Sequence, residues 1–128
     1  MESNSVLSGQ WYYTVEIERS VFTKGYNHQN IALTRKLLRN VLVKDKACID
    51  IGTQEAVIPV LLRKAGAGAV VAYDRFDLSE RIGLLRDVYH VDFEYVAGMQ
   101  LQELPGILDA KPTGRFFDLV VFPAFFIT

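Results

Sequence analysis

Cysteine and histidine are scarce in this 128-residue chain, which contains one cysteine, Cys48, and two histidines, His28 and His90. Three such side chains can build neither a disulfide framework nor a zinc site with four cysteine or histidine ligands. The sequence also lacks a signal-peptide pattern at its N-terminus and any apolar run of membrane-spanning length. We therefore expect a cytoplasmic protein with no membrane partner and no metal site.

A large excess of either charge is also missing. The chain has 14 Lys and Arg residues against 15 Asp and Glu residues, which gives a formal net charge of −1. Binding to nucleic acid or to an anionic membrane through bulk charge is therefore not expected. Half of the residues are hydrophobic, which is too many for a disordered tail. At this length the chain is expected to form one hydrophobic core.

Apolar runs and helical periodicities alternate after Lys46. Short buried strands are predicted over residues 47–51 and 69–73, an alternating strand over 91–96, and a fourth strand over 118–122. One predicted helix starts near Glu55, and a second runs from Asp77 or Ser79 to Tyr89. The stretch before the last strand is rich in glycine and proline, and we interpret it as a loop. This order predicts an α/β fold, a Rossmann-like parallel sheet with flanking helices.

The N-terminal part is expected to add a short lead-in to this sheet. Aromatic and β-branched residues over 11–17 predict a strand. Asn27 can cap a helix that reaches about Val41. We therefore divide the chain into a lead-in strand and helix, residues 1–46, and a Rossmann-like domain, residues 47–128.

The end of the first core strand and the end of the second carry the residues expected to bind a ligand. In such sheets the ligand lies beyond the carboxyl ends of the strands, beside the first one. There, Gly52 permits a tight turn, and the following helix offers unpaired N–H groups. Asp74 ends the second strand, twenty-two residues after Gly52. An acid at this place can accept hydrogen bonds from both hydroxyls of a ribose.

The composition of the loop after the first strand indicates which class of nucleotide-like ligand fits. A G-x-G-x-x-G dinucleotide motif and a G-x-x-x-x-G-K-[ST] phosphate loop are both absent there. The glycines at 66 and 68 precede a strand, so we interpret them as the end of a helix. A loop poor in glycine, with acids at Asp50 and Glu55, suits a positively charged ligand without phosphates. A nicotinamide or other nucleotide cofactor is the least favoured alternative.

Three segments resemble class I S-adenosylmethionine-dependent methyltransferases. Residues 48–74, CIDIGTQEAVIPVLLRKAGAGAVVAYD, are similar to the first motif, the helix and the second motif of that family. Residues 116–122, FFDLVVF, resemble the strand of its fourth motif. Residues 11–38 are more weakly similar to the lead-in of the branch that includes bacterial tRNA wobble-uridine carboxymethyltransferases. The resemblance covers roughly residues 11–126, and its motifs are moderately specific.

The resemblance implies S-adenosylmethionine as the cofactor and S-adenosylhomocysteine as its product, with a set of cofactor-binding residues. Asp50 and the backbone of residues 52–55 would hold the methionine part, and Asp74 the ribose hydroxyls. Arg75 and Phe76 would flank the adenine. The full implied set is Asp50, Gly52, Thr53, Gln54, Glu55, Asp74, Arg75, Phe76, Met99, Gln100, Phe122 and Pro123.

The remaining members of this set extend the implied site in two directions. Met99 and Gln100 would lie near the adenine edge, where the family commonly has an acid. Phe122 and Pro123 would border the transferable methyl group. No residue is identified as a catalytic base.

The chain departs from the family in the loop and in length. Gln54 and Ala56 occupy positions where the family usually has glycine. Class I domains continue after the fourth strand with another helix and three strands, whereas this chain ends at Thr128. We therefore expect a truncated sheet with an apolar edge, covered by a second copy or by another chain. The phenylalanines expected near that edge are Phe116, Phe117, Phe122, Phe125 and Phe126.

Two function classes follow. The first is a methyltransferase-type domain that uses S-adenosylmethionine on an unidentified acceptor. The second is a non-catalytic binding or assembly module, which the loop substitutions and the short C-terminus favour. Arg35, Lys36 and Arg39 could contact the phosphates of an RNA acceptor, although a solvated helix face is the simpler interpretation.

Overall fold

The computed structural model describes residues 9–25, 36, 39, 41–112, 114 and 116–122. Short strands occupy the N-terminal part, and longer strands alternate with helices after residue 46. The strands are β1 Gln10–Trp11, β2 Glu16–Glu18, β3 Val21–Phe22, β4 Lys24–Gly25, β5 Ala47–Ile51, β6 Ala69–Asp74, β7 Glu94–Ala97 and β8 Leu119–Val121. The helices are α1 Val57–Lys64, α2 Ser79–Tyr89 and α3 Leu104–Asp109, and a 3-10 helix spans Leu101–Glu103.

Strands β5 to β8 form a four-stranded parallel sheet in the order β7-β6-β5-β8. The chain proceeds from β5 to β6 to β7 in one direction and then returns to place β8 on the other side of β5. Asp118 fixes this return, because its carboxylate accepts the Ala47 N–H at 2.9 Å and its own N–H donates to the Ala47 carbonyl at 2.8 Å. The predicted Rossmann-like α/β fold is confirmed, with the change of direction beside β5.

Helix α1 follows the predicted pattern, although it starts at Val57 rather than near Glu55. Pro59 lies in its first turn, where a missing N–H removes no helical hydrogen bond. Gly66 ends it in a left-handed conformation, with φ 98°, as the sequence predicted. The apolar face of α1 is buried and packs against β5 and β6.

The stretch between β7 and β8 is not the continuous loop that the sequence predicted, because it contains the 3-10 helix and α3. Pro105 lies at the start of α3, where it is compatible with helical backbone. Leu104 and Leu108 are buried against Ile49 and Val71. Their spacing of four residues places both on one helix face, and this apolar contact outweighs the low helix propensity of the Gly- and Pro-rich sequence.

The predicted continuous strand over residues 11–17 is wrong, since it is divided into β1 and β2. β1 pairs in parallel with β4, and β2 pairs antiparallel with β3. Between them, the N–H groups of Tyr12 and Tyr13 donate to the carboxylate of Glu55 rather than to a neighbouring strand. The predicted helix from Asn27 to about Val41 lies mostly outside the described residues.

Apolar side chains cover both faces of the sheet, as continuous buried strands require. One cluster joins Cys48, Val70 and Ala72 to the helices α1 and α2 and to the N-terminal residues Trp11 and Tyr13. The opposite face carries Ile49, Val71, Tyr73, Val96, Leu104 and Leu108.

No described helix is both long and apolar enough to cross a membrane. The domain boundary at residue 46 stays a prediction.

Strand β8 borders the sheet in the described part of the chain, next to β5. Val120 on this strand is 47% exposed, and Phe116 just before it is 84% exposed. Phe117 is half-buried and packs against the second cluster. A second copy or another chain that covers this edge remains a prediction, and Phe125 and Phe126 lie outside the described residues.

Candidate functional site

The carboxyl ends of β5 and β6 meet at the loop formed by residues 52–56. Gly52 adopts a φ of 84°, and the N–H groups of Gly52 and Thr53 both donate to the Tyr73 carbonyl at 2.9 Å. This pair of hydrogen bonds turns the chain sharply at the end of β5 and directs it into α1. The loop therefore lies beside the last residue of β6, Asp74, as the strand pairing requires.

The loop keeps a backbone typical of glycine at two positions that lack glycine. Gln54 has a φ of 53° and Ala56 a φ of 64°, both in the left-handed region. This conformation is unfavourable by roughly 1–2 kcal/mol for a residue with a Cβ atom. Both are the positions where the methyltransferases that this sequence resembles usually have glycine. The loop therefore has the backbone conformation that glycine adopts readily, although residues 54 and 56 each carry a side chain.

The buried Asp74 carboxylate holds this loop in place. Its Oδ2 atom accepts the Gln54 N–H at 2.8 Å, and its Oδ1 atom accepts the Phe76 N–H at 3.0 Å. Each carboxylate oxygen can accept a further hydrogen bond. Asp74 can therefore stabilise the loop and still accept hydrogen bonds from the hydroxyls of a ligand.

Asp50 and Thr53 form a buried polar cluster with Tyr13. All three are 0% exposed. Among the described residues, neither oxygen of Asp50 has a hydrogen-bond partner, and neither do the hydroxyls of Thr53 and Tyr13. Burial raises the pKa of Asp50 to about 7. The Thr53 hydroxyl opposes this shift because it lies close to the carboxylate, although not in hydrogen-bond geometry, and the charge of Asp74 adds to it. Buried polar groups are nearly always paired in folded proteins, so this cluster is chemically suited to a polar ligand.

The Glu55 carboxylate binds the backbone of the N-terminal segment rather than the side-chain oxygens of this cluster. It accepts the N–H of Tyr12 at 2.9 Å and that of Tyr13 at 3.0 Å, and Arg81 donates to it at 3.1 Å. The Arg81 guanidinium also lies 5.1 Å from the centre of the buried Trp11 ring. A contact of the Glu55 backbone with the cofactor remains a prediction.

Arg75 and Phe76 extend the site beyond Asp74. The Arg75 guanidinium carbon lies 4.9 Å from the centre of the Phe76 ring, and Phe76 is 60% exposed. The pair offers an accessible flat surface next to the carboxylate that was predicted to bind ribose. Its contact with an adenine stays a prediction.

Of the predicted residues after β7 and β8, Met99 and Gln100 make hydrogen bonds with residues outside the loop of residues 52–56. The Met99 carbonyl accepts the Tyr73 hydroxyl at 2.7 Å, which ties this turn to β6. Gln100 is exposed and donates its N–H to Glu103 at 3.0 Å. Phe122 is half-buried directly after β8. Pro123 lies outside the described residues.

The structure thus brings together Asp50, residues 52–56 and Asp74. It adds two residues that were not predicted to belong to the site, Tyr13 and Arg81. The sequence carries no signal for Arg81, which occupies an ordinary helix position. Tyr13 belongs to an aromatic stretch that we interpreted as core. Among the described residues, no group of three or more His, Cys, Asp or Glu could hold a metal ion.

Comparison with known proteins supports the fold assignment. No protein-family model and no curated protein matches the chain. Among solved structures, the chain is similar to a ribosomal protein L11 methylase from Lactobacillus delbrueckii subsp. bulgaricus, with a TM-score of 0.52 and 20% sequence identity. The similarity covers 87% of this chain and 66% of that one, so the chain spans less than two thirds of the methylase. At this identity the likeness shows a methyltransferase-like fold.

Proposed function

We propose that this chain binds S-adenosylmethionine at the carboxyl edge of β5 and β6, as a methyltransferase-type domain. The observation that carries the proposal is the buried Asp50 carboxylate, which has no hydrogen-bond partner among the described residues and lies at the change of direction of a methyltransferase-like sheet. An isolated buried carboxylate is unfavourable unless a donor or a cation reaches it. The ammonium group of S-adenosylmethionine would meet that requirement.

The surrounding residues fit the same cofactor. Asp50 and the loop of residues 52–55 would hold the methionine part, and Asp74 would accept hydrogen bonds from the ribose hydroxyls. Arg75 and Phe76 would flank the adenine. Met99 and Gln100 would lie near the adenine edge, with Phe122 and Pro123 towards the reacting methyl group. When bound, the cofactor supplies a methyl group on a positively charged sulfur.

The contribution of the protein to methyl transfer is positional. Transfer to a nucleophile requires the acceptor to approach the methyl group in line, and a general base only when the acceptor must lose a proton. The described residues provide no general base that we can assign. The acceptor is unidentified, and an RNA acceptor rests on the exposed side chains of Lys36 and Arg39 alone.

A non-catalytic binding or assembly module is the second candidate. The observation in its favour is the side chain at Gln54 and at Ala56, each in the left-handed conformation that glycine adopts most readily. These side chains reduce the space beside the loop. A chain that keeps the cofactor pocket without turnover would show such substitutions.

Calorimetric titration with S-adenosylmethionine and S-adenosylhomocysteine tests the proposal. We expect micromolar affinity for the unmodified protein and a loss of about tenfold or more in Asp74→Asn, because a hydrogen bond to a charged group is removed. Asp87→Asn is the matched control, since Asp87 is an exposed acid on α2. No heat with millimolar ligand would overturn the proposal.

A turnover assay separates the two candidates. The protein is incubated with S-adenosylmethionine and with RNA or protein fractions from its own cells, and S-adenosylhomocysteine is measured by mass spectrometry. Formation of S-adenosylhomocysteine that depends on the added fraction supports the enzyme. Tight binding without any turnover supports the module.

A further inference from the structure

The Tyr13 side chain extends from the N-terminal segment to the carboxyl edge of the sheet, where Asp50 lies. Cys48, Val70 and Ala72 lie on the same face of the sheet as Asp50, and they belong to the same buried cluster as Tyr13. Burial raises the pKa of the Tyr13 hydroxyl above its usual range, and the charge of Asp50 adds to this shift. The hydroxyl therefore remains protonated and can donate a hydrogen bond.

The backbone of Tyr13 is held firmly, in contrast to its hydroxyl. Its N–H donates to Glu55 at 3.0 Å, and its carbonyl accepts the Thr23 hydroxyl at 2.7 Å. On the other side, a Cβ atom at Gly25 would come within 2.0 Å of the Tyr13 carbonyl carbon, so the two backbones are in close contact. These contacts fix the position of the residue, whereas its buried hydroxyl has no partner among the described residues.

The side-chain oxygens of Asp50, Thr53 and Tyr13, which have no hydrogen-bond partner in the part of the chain that the structure describes, are complementary to an amino-acid zwitterion. The Asp50 carboxylate can pair with an ammonium group. The hydroxyls of Tyr13 and Thr53 can each donate a hydrogen bond to a carboxylate. No other part of S-adenosylmethionine carries both charges next to each other. A nucleoside would leave Asp50 without a cation.

We propose that Tyr13 is a ligand-binding residue that, together with the Thr53 hydroxyl, recognises the carboxylate of the amino-acid end of S-adenosylmethionine while Asp50 receives its ammonium group. This inference rests on the proposed function, because it assigns a part of the same ligand to named side chains. It also gives the Glu55 carboxylate a positioning role, since Glu55 holds the backbone that carries the Tyr13 side chain.

The test compares two ligands in three variants by calorimetry. S-adenosylhomocysteine contains the amino-acid end, and 5′-methylthioadenosine lacks it. Tyr13→Phe and Thr53→Val each remove one hydroxyl at nearly constant volume. Tyr89→Phe is the matched control, because the Tyr89 hydroxyl donates to the Glu16 carbonyl and thus contacts the same N-terminal segment away from the cluster.

We expect Tyr13→Phe and Thr53→Val each to weaken binding of S-adenosylhomocysteine about tenfold or more. Binding of 5′-methylthioadenosine should change less than about twofold in both, and Tyr89→Phe should bind both ligands as the unmodified protein does. Without ligand, the Tyr13→Phe protein should be at least as resistant to urea as the unmodified protein, because it loses a buried hydroxyl that has no partner.

Three results would overturn this inference. If Tyr13→Phe binds S-adenosylhomocysteine with unchanged affinity, the hydroxyl does not contact the ligand. If it weakens both ligands equally, or if Tyr89→Phe has the same effect, the residue acts through packing of the segment. These outcomes leave the proposed function standing. If the unmodified protein binds neither ligand, the proposed function fails and the inference fails with it.

Discussion

The carboxylate of Asp74 accepts a 2.8 Å hydrogen bond from the backbone N–H of Gln54, and this bond joins the end of β6 to the loop after β5. Gln54 holds a left-handed conformation there, with φ 53°. The hydrogen bond offsets part of the unfavourable energy of that conformation, because it satisfies an N–H that would otherwise lack a partner at the sheet edge. The residue expected to bind ribose therefore also organises the loop expected to bind methionine.

Asp74→Ala should lower the free energy of unfolding by about 1–3 kcal/mol, because the N–H groups of Gln54 and Phe76 both lose their acceptor. Urea unfolding of the ligand-free protein measures this change. Asp87→Ala, at an exposed position on α2, should stay within about 0.5 kcal/mol of the unmodified protein. An equal effect of the two substitutions would contradict the structural role of Asp74.

Two substitutions at Gln54 should act in opposite directions. Gln54→Gly should stabilise the protein by up to about 1 kcal/mol, because glycine adopts a positive φ without a steric penalty. Gln54→Val should destabilise it by about 1 kcal/mol or more, since β-branched residues strongly disfavour that region. Urea unfolding curves of the two variants give the comparison. If the glycine variant proves the less stable of the two, residue 54 does not have the left-handed conformation.

Asp50 should give the stability of the ligand-free protein a distinct pH dependence. Its folded-state pKa, about 7, is raised above the unfolded value by burial, so the folded protein holds the proton more tightly. The contribution of Asp50 is therefore fully favourable below about pH 4. It is lost as the pH rises to 7, at up to about 1.4 kcal/mol per pH unit.

Asp50→Asn should remove this contribution. Between pH 5 and pH 7 the free energy of unfolding should therefore fall less steeply than in the unmodified protein, by up to about 1.4 kcal/mol per pH unit. Urea unfolding at several pH values measures both slopes. Asp87→Asn, at an exposed position on α2, is the matched control. Identical slopes for Asp50→Asn and the unmodified protein would show that Asp50 titrates as it does in the unfolded chain.

Two glycine-to-alanine substitutions provide a further pair of opposite sign. Gly25→Ala should disrupt the N-terminal segment, because the new Cβ atom would come within 2.0 Å of the Tyr13 backbone. Gly83→Ala, in the middle of α2 with nothing within 4 Å, should stabilise the protein by about 0.5–1 kcal/mol. Thermal unfolding followed by circular dichroism compares them. A Gly25→Ala protein with unchanged stability would argue against the close contact of β4 with Tyr13.

The sequence alone determined the sheet and the acids at its edge. Continuous apolar runs such as 69–73 predict buried parallel strands, and an acid at or next to the end of such a run lies at the carboxyl edge of the sheet. The places of Asp50 and Asp74 follow from this pattern without any tertiary information. Local turn chemistry similarly determined the end of α1 at Gly66.

Only the tertiary structure decided what these acids contact and which residues join them. The Glu55 carboxylate accepts hydrogen bonds from Tyr12 and Tyr13, which lie 43 and 42 positions away in the chain. No local sequence pattern indicates either partner. The same holds for α3, whose Leu104 and Leu108 become a helix face only because Ile49 and Val71 are there to bury them. Periodicity encodes which side of an element is apolar, whereas the partner of a buried polar group depends on how distant segments pack.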